Sequence, residues 1–419
     1  MRIGYLMQPW DCGVPPNPGG SIGIWTWEIA RRMAASHEVV VCARRHQGDP
    51  AREQRNGVRF ERLSVEPDRW LYAFIRRVLR FRDPCRPGFA SMLWHLCYAY
   101  QAGRALRMHR CQIIHIHNFS QFVPIVRRLN PRARIVLHMH CEWLSQLDRA
   151  MVARRLAQAD SVVCCADYLT QRVRQRFPPY AQRCVTIHNG VDLASFSPPP
   201  DRPRPASGIR RVVFVGRVSP EKGVHVLLDA FRQVVRCQPE TQLEIIGDQS
   251  AAPREFIVSL SQDPMVRRLG RFYQGDYVEH LRRQICDGLA GRVSLVGPVP
   301  HQELMNRLRG ADVFVQPSVW GEPFPLVVLE AMAAGLAVVA SRAGGLVESV
   351  QDGCTGLLAE PDDADSLAKA LLRVLQDEQL RRAMGQASRQ RVEQLFSWEK
   401  AATDLQQHYD RLLHGPIGG

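Results

Sequence analysis

Two carboxylates stand eight residues apart in the stretch 321–345, GEPFPLVVLEAMAAGLAVVASRAGG: Glu322 on a polar loop, and Glu330 inside the apolar run that follows. Pro325 stands at the expected first helical position, LVVLEAMAA continues as a short helix, and Gly335 ends it. Glu330 then falls about a turn and a half inside the helix, so both carboxylates can face one ligand at its N-terminus. Free N–H groups and the positive end of the helix dipole favour an anion at that place. A carboxylate accepts hydrogen bonds from two neighbouring hydroxyls, which suits a ribose or hexose diol. Phosphate, ribose and sugar together point to a nucleotide-sugar. Taken without their neighbours, the same two residues are a solvated helix carboxylate and a loop charge.

Other chemistry-bearing residues lie upstream. Arg217 and Lys222 stand on opposite arms of the loop RVSPEKG, where they can meet a diphosphate. Arg chelates it bidentately and Lys supplies a point charge. Such cations stabilise a leaving diphosphate without any metal. Near the N-terminus, Gly19 and Gly20 lie between an apolar run (2–7) and the helical pattern TWEIARRMA. Strand, glycine turn and helix can bring backbone N–H groups up to a phosphate. The turn is not G-x-G-x-x-G, however, and a plain tight turn is the other reading. His115 and His117, and likewise His138 and His140, lie two apart at the ends of two apolar runs, so each pair points to one face. A metal site is one reading of the four, but spacing fixes no carboxylate or thiolate partner, and no metal is expected. Satisfied core histidines are the other reading, best suited to His115 and His138.

These residues require an alternating α/β frame. With 419 residues the chain is too long for one core and suits two domains of roughly 200 residues each. Apolar runs at 2–7, 37–43, 57–63, 111–119, 134–143, 160–166 and 184–192 read as strands of a first domain, 1–196. Residues 197–208, SPPPDRPRPASG, read as a linker. Further runs at 212–216, 241–247, 292–299, 311–318 and 337–341 belong to a second domain, 209–395. Residues 248–291 are long for a connection and should carry helices of their own. Residues 69–82, RWLYAFIRRVLRFR, form a basic amphipathic helix that either packs on its own domain or lies in a membrane interface.

The composition excludes several classes. Apolar residues at 45% and charged residues at 23% are ordinary for a globular protein. The formal charge of +14 comes from scattered Arg, with Lys only at 222, 369 and 400, and no nucleic-acid motif accompanies it. Twelve cysteines without C-x-x-C spacing indicate reduced thiols rather than zinc or disulfides. Neither a signal peptide nor a spanning segment is indicated, so the expected setting is cytoplasmic, with peripheral membrane contact through 69–82 left open.

The motif E-P-F-P-x4-E-A-M-A-A-G resembles the E-x7-E signature of the retaining glycosyltransferases of family GT4, whose usual form is E-x-F-G-x4-E-A-M-A-x-G. Pro325 takes the place of the family's Gly and removes one N–H there. G-R-x-x-x-x-K-G at 216–223 and N-G-V-D at 189–192 resemble further elements of the same family. The resemblance covers nearly the whole chain and is sharpest over 212–356. It implies a GT-B fold, two Rossmann-like domains facing across a donor-binding cleft, with a last helix (396–419) crossing back to the first domain. It implies sugar transfer from a nucleotide-sugar, UDP- or GDP-linked, to an acceptor hydroxyl with retention, through front-face attack with the leaving phosphate as base. Arg217 and Lys222 would bind the diphosphate, Glu330 the ribose and Glu322 the sugar. His140 would face the reacting sugar, with His138 as the alternative. Gly19, Gly20, Gly344 and Gly345 would supply N–H groups, main chain at Val299 would read the base, and Phe324 and Leu326 would complete the donor site. The implied acceptor is a glycan, a lipid-linked sugar or a small molecule, typically in polysaccharide or glycoconjugate biosynthesis. A nucleotide-sugar epimerase and a non-catalytic, membrane-docked donor-binding protein are the rival readings.

Overall fold

The computed structural model describes residues 1–11, 20–78, 83–197 and 208–415, with backbone only for 74–78. They divide into two units, Met1–Asn189 with Trp398–Gly419, and Gly190–Ser397. The proposed linker lies almost wholly outside the described residues, as does Gly19.

In the first unit the strands are β1 (Arg2–Leu6), β2 (Glu38–Arg44), β3 (Arg52–Arg55), β4 (Val58–Leu63), β5 (Ile113–His117), β6 (Arg134–Met139), β7 (Ser161–Cys164) and β8 (Cys184–Thr186). They form one sheet in the order β3-β4-β2-β1-β5-β6-β7-β8. Every pairing is parallel except β3 with β4. A parallel sheet covered on both faces needs unbroken apolar strands, and VVVCA in β2 and IVL in β6 are fully buried. β3, REQR, breaks that rule; it is a polar antiparallel edge strand and gives no apolar signal in the sequence. The helix Gly20–Met33 buries Trp25, Thr26 and Ile29. The last helix, Trp398–His414, belongs to this unit: Arg32 Nη2 donates to Glu399 Oε1 at 2.6 Å, and His408 Nε2 lies 2.8 Å from Ser161 Oγ. The helix expected at 69–82 runs from Glu66 to Val78, and residues 79–82 lie outside the described residues.

The second unit holds β9 (Arg210–Val215), β10 (Thr241–Ile246), β11 (Val293–Gly297), β12 (Val313–Gln316), β13 (Ala337–Ser341) and β14 (Gly356–Ala359). The order is β11-β10-β9-β12-β13-β14, all parallel. Its core includes Phe214, Leu227, Phe231, Val313 and Val339, each fully buried. Residues 248–291 carry the short helices Arg254–Ile257, Pro264–Arg268 and Tyr277–Cys286, the last two capped by the Asp263 and Asp276 carboxylates. One expected boundary is corrected. Pro325, with φ −74° and ψ 125°, is extended and precedes the helix Leu326–Ala333 rather than opening it.

Candidate functional sites at the switch points

Each sheet reverses its winding once, between β1 and β5 in the first unit and between β9 and β12 in the second. Loops that leave adjacent strands in opposite directions open a crevice at the strand C-termini, where open α/β sheets bind ligands. In the second unit these loops are 216–223 after β9 and 317–325 after β12. Gly223 lets them touch: its φ is +72°, and a Cβ would lie 1.9 Å from Pro317 O. Val319 N donates to Glu221 O at 2.9 Å across the same contact.

Lys222 Nζ lies 2.5 Å from Glu322 Oε1 and 5.4 Å from the centre of the Trp320 ring. The other oxygen, Glu322 Oε2, accepts from Ser318 Oγ at 2.7 Å and Trp320 Nε1 at 2.8 Å. Burial alone would raise the Glu322 carboxyl, but the Lys222 charge and these hydrogen bonds outweigh it and hold the group below its usual range. Ser318 is held in turn by Gln316 Nε2 at 2.9 Å. Sequence reasoning missed Ser318, Trp320 and Gln316; the available signal was that these hydrogen-bonding side chains stand in QPSVWG directly before Glu322. Gly344, at φ +56°, packs on the Glu322 backbone, where a Cβ would lie 2.3 Å from its carbonyl oxygen. Gly345 departs from its expected role, because its N–H is donated to Glu322 O at 2.7 Å and is not free for a ligand.

Glu330 is a different carboxylate. It is 7% exposed, no described side chain hydrogen-bonds it, and burial pushes it up to about 7. Arg217, just past β9, is exposed, and its guanidinium makes no ion pair among the described residues. Val299 follows β11 and is half-buried. Arg217, Val299, Glu322 and Gly344 thus share the C-terminal edge of one sheet. Phe324, packed 5.4 Å from the Phe396 ring, and Leu326 bury their side chains, so only their main chain can meet a ligand.

In the first unit the β1/β5 switch is bridged by Asn118, itself left-handed at φ +56°. Its Nδ2 donates to Gln8 Oε1 at 2.9 Å, and its Oδ1 accepts the His140 backbone N–H at 2.7 Å. Gln8 Nε2 continues to Asp11 Oδ2 at 2.8 Å, and burial lifts Asp11 to about 6. Gly20, at φ +79°, opens the following helix beside Asp11. None of Gln8, Asp11 or Asn118 stood out in the sequence, although Asn118 directly follows β5 and Gln8 and Asp11 lie in the loop after β1.

The four histidines form one array, since β5 and β6 pair with His117 opposite His138. His115 Nε2 lies 3.0 Å from His138 Nδ1, and His117 Nδ1 lies 3.0 Å from His140 Nε2. Tyr409 Oη lies 2.7 Å from His115 Nδ1, while Trp25 stacks on His115 and meets the other three edge-on. Burial holds all four neutral, His140 down to about 3 and the rest well below the usual range. Nitrogens of His115, His117 and His138 come within 4.8 Å of one another, close enough to consider a cation. The group holds no carboxylate or thiolate, so a dication would bring its whole charge into the core uncompensated. Hydrogen bonds already occupy every ring nitrogen of the three but His138 Nε2. The array therefore reads as a hydrogen-bonded network, and His140 is its half-exposed end.

Comparison with known proteins fits both halves. The profile described as Glycosyltransferase Family 4 matches residues 19–195, and that described as Glycosyl transferases group 1 matches 201–391. The glycogen synthase of Mycobacterium tuberculosis is 29% identical over 440 residues, covering 98% of this chain and 94% of its own. Sucrose-phosphate synthase from Thermosynechococcus elongatus superposes with a TM-score of 0.75 at 26% identity, over 98% of this chain and 99% of that one. HepE of Anabaena, solved with UDP and glucose, superposes at 0.71 with 20% identity, over 98% and 99%. Two parallel-sheet units of GT-B type, matched by these profiles over 19–195 and 201–391, make the chain a glycosyltransferase of the GT4 family.

Proposed function

We propose that this glycosyltransferase moves a sugar, with retention, from a UDP- or GDP-sugar to a hydroxyl of a glycan or lipid-linked acceptor. The observation that carries the reading is the contrast between two buried carboxylates, one in the loop after β12 and one in the helix that follows it. Glu322 is ionised and paired with Lys222, while Glu330 keeps its acceptor capacity open. Arg217 and Lys222 take the diphosphate. Glu330 accepts both ribose hydroxyls, and Glu322 accepts hydroxyls of the sugar once Lys222 turns to phosphate. The free N–H group of Gly344 completes the anion contacts, and main chain at Val299, Phe324 and Leu326 lines the nucleotide. HepE, of similar fold, holds UDP and glucose, which supports a nucleotide-sugar donor.

In the transfer step the bond from the anomeric carbon to the phosphate oxygen breaks, and the acceptor oxygen bonds to the same face. Its proton passes to the leaving phosphate oxygen. Arg217 and Lys222 neutralise the charge that develops on the diphosphate, so these side chains supply the stabilisation a metal would otherwise give. His140 faces the reacting sugar. Product analysis tests the reading: the anomeric configuration of the product, determined by NMR, matches that of the donor. Inversion would sink the retaining mechanism, and an isomerised donor formed without acceptor would favour an epimerase.

A further inference from the structure

The proton positions in the histidine array follow from one short contact. Thr26 Oγ1 lies 2.8 Å from the carbonyl oxygen of Ile22 and 3.1 Å from His117 Nε2. A carbonyl oxygen has no proton, so at 2.8 Å the Thr26 hydroxyl must donate to it. Only lone pairs then remain for His117, whose Nε2 must carry the N–H. A neutral imidazole has one N–H, which makes His117 Nδ1 an acceptor. That nitrogen lies 3.0 Å from His140 Nε2, so His140 Nε2 is the donor and His140 Nδ1 keeps a bare lone pair. Thr26 and His117 are fully buried, so bulk solvent does not compete for these contacts. Desolvation disfavours the imidazolium form of both rings, so a second proton does not undo the sequence. No described side chain reaches His140 Nδ1, and the His140 backbone is pinned by Asn118.

We propose that Thr26 and His117 lock His140 in its Nε2–H tautomer, so that Nδ1 is presented as an acceptor that selects a hydroxyl on the transferred sugar. Thr26 and His117 are positioning residues in this scheme, acting through His140. A neutral, hydroxylated sugar satisfies Nδ1. A sugar that places a carboxylate or a fluorine there sets acceptor against acceptor and is rejected. The use of Nδ1 on a sugar rests on the function proposed above, whereas the tautomer does not.

The test is a long-range 1H–15N correlation spectrum of the unliganded protein labelled with 15N-histidine, with His140 assigned by the signals absent from His140→Gln. The expected result is a pyridine-type shift at His140 Nδ1 and a pyrrole-type shift at Nε2. Thr26→Val should move His140 toward a mixture of tautomers, and Thr26→Ser should keep the wild-type pattern. A pyrrole-type Nδ1 in the wild type would overturn the proposal, as would a Thr26→Val spectrum unchanged at His117 and His140. With the donor that the protein turns over, Thr26→Val should lower kcat about tenfold with KM nearly constant, since the lost term acts on the reacting sugar. If no donor is turned over, the function fails while the spectrum still decides the tautomer.

Discussion

Lys222 and Glu322 form a buried ion pair at 2.5 Å that joins the loop after β9 to the loop after β12. Both loops belong to one switch point, so the charge proposed to meet the diphosphate also ties the two loops together. Removing Lys222 should have two effects. Lys222→Ala is expected to cut turnover by about 10²-fold or more, through the loss of one electrostatic stabiliser. It should also destabilise the fold by about 3–5 kcal/mol, because Glu322 is left buried and uncompensated. Denaturant unfolding of Lys222→Ala against the Lys222→Ala/Glu322→Gln double variant checks the second effect, and the double variant should recover stability.

Acid should weaken the same pair. Glu322 sits below its unfolded value of 4.5, so its contribution is present above pH 4.5 and is lost as pH falls through the lower folded value. Wild type should therefore lose stability more steeply below pH 4.5 than Glu322→Gln, as measured by thermal unfolding across pH.

Glu330 has the opposite sign. Its folded value, about 7, exceeds the unfolded 4.5, so ionisation favours the unfolded chain. Stability should fall between pH 4.5 and about 7 by on the order of 3 kcal/mol and then level off. Glu330→Gln should remove that slope. Donor hydroxyls favour the ionised form, so nucleotide-sugar affinity should rise with pH through about 7 in wild type, and calorimetry should find it flat in Glu330→Gln.

Two glycines should not tolerate a methyl group. Gly223→Ala places Cβ 1.9 Å from Pro317 O at φ +72°, and Gly344→Ala places it 2.3 Å from Glu322 O at φ +56°. Each should cost roughly 1–3 kcal/mol in backbone strain, with the loop shift added. Gly353→Ala, at φ +76° but with no atom within 4 Å, is the control for strain alone. Equal melting temperatures for all three would contradict the close-packed loops.

Trp70, 78% exposed on the helix Glu66–Val78, makes the membrane expectation testable. Trp70→Ser should reduce co-sedimentation with anionic vesicles several-fold if that helix lies in an interface, given the value of a buried Trp there. Unchanged sedimentation would remove the helix as an anchor.

Much of the frame was legible because apolar runs with glycine borders have few alternatives. AVVAS lies between Gly335 and Gly344 and is β13 to the residue. The polar edge strand Arg52–Arg55 offered no such run, and that of β14, GLLA, is only four residues long. Within the candidate site, the residue types of Arg217, Lys222, Glu322 and Glu330 suggested their chemistry, and the structure pairs Lys222 with Glu322 and buries Glu330 in the helix that follows. What holds them did not show. Ser318 and Trp320 act through a loop without periodicity, and Thr26 meets His117 across 91 residues of chain. Gly345 shows the reverse case, where a residue type suited to a ligand is already used by the fold.

The most direct measurement is a thermal-shift and hydrolysis screen against UDP-, GDP-, ADP- and dTDP-sugars without added metal, run on wild type and on Lys222→Ala/Glu330→Gln. The account predicts that one donor stabilises the wild type and is slowly hydrolysed, and that the double variant loses both responses. Absence of stabilisation and hydrolysis with every nucleotide-sugar, or an undiminished response in the double variant, would contradict the assignment of the site.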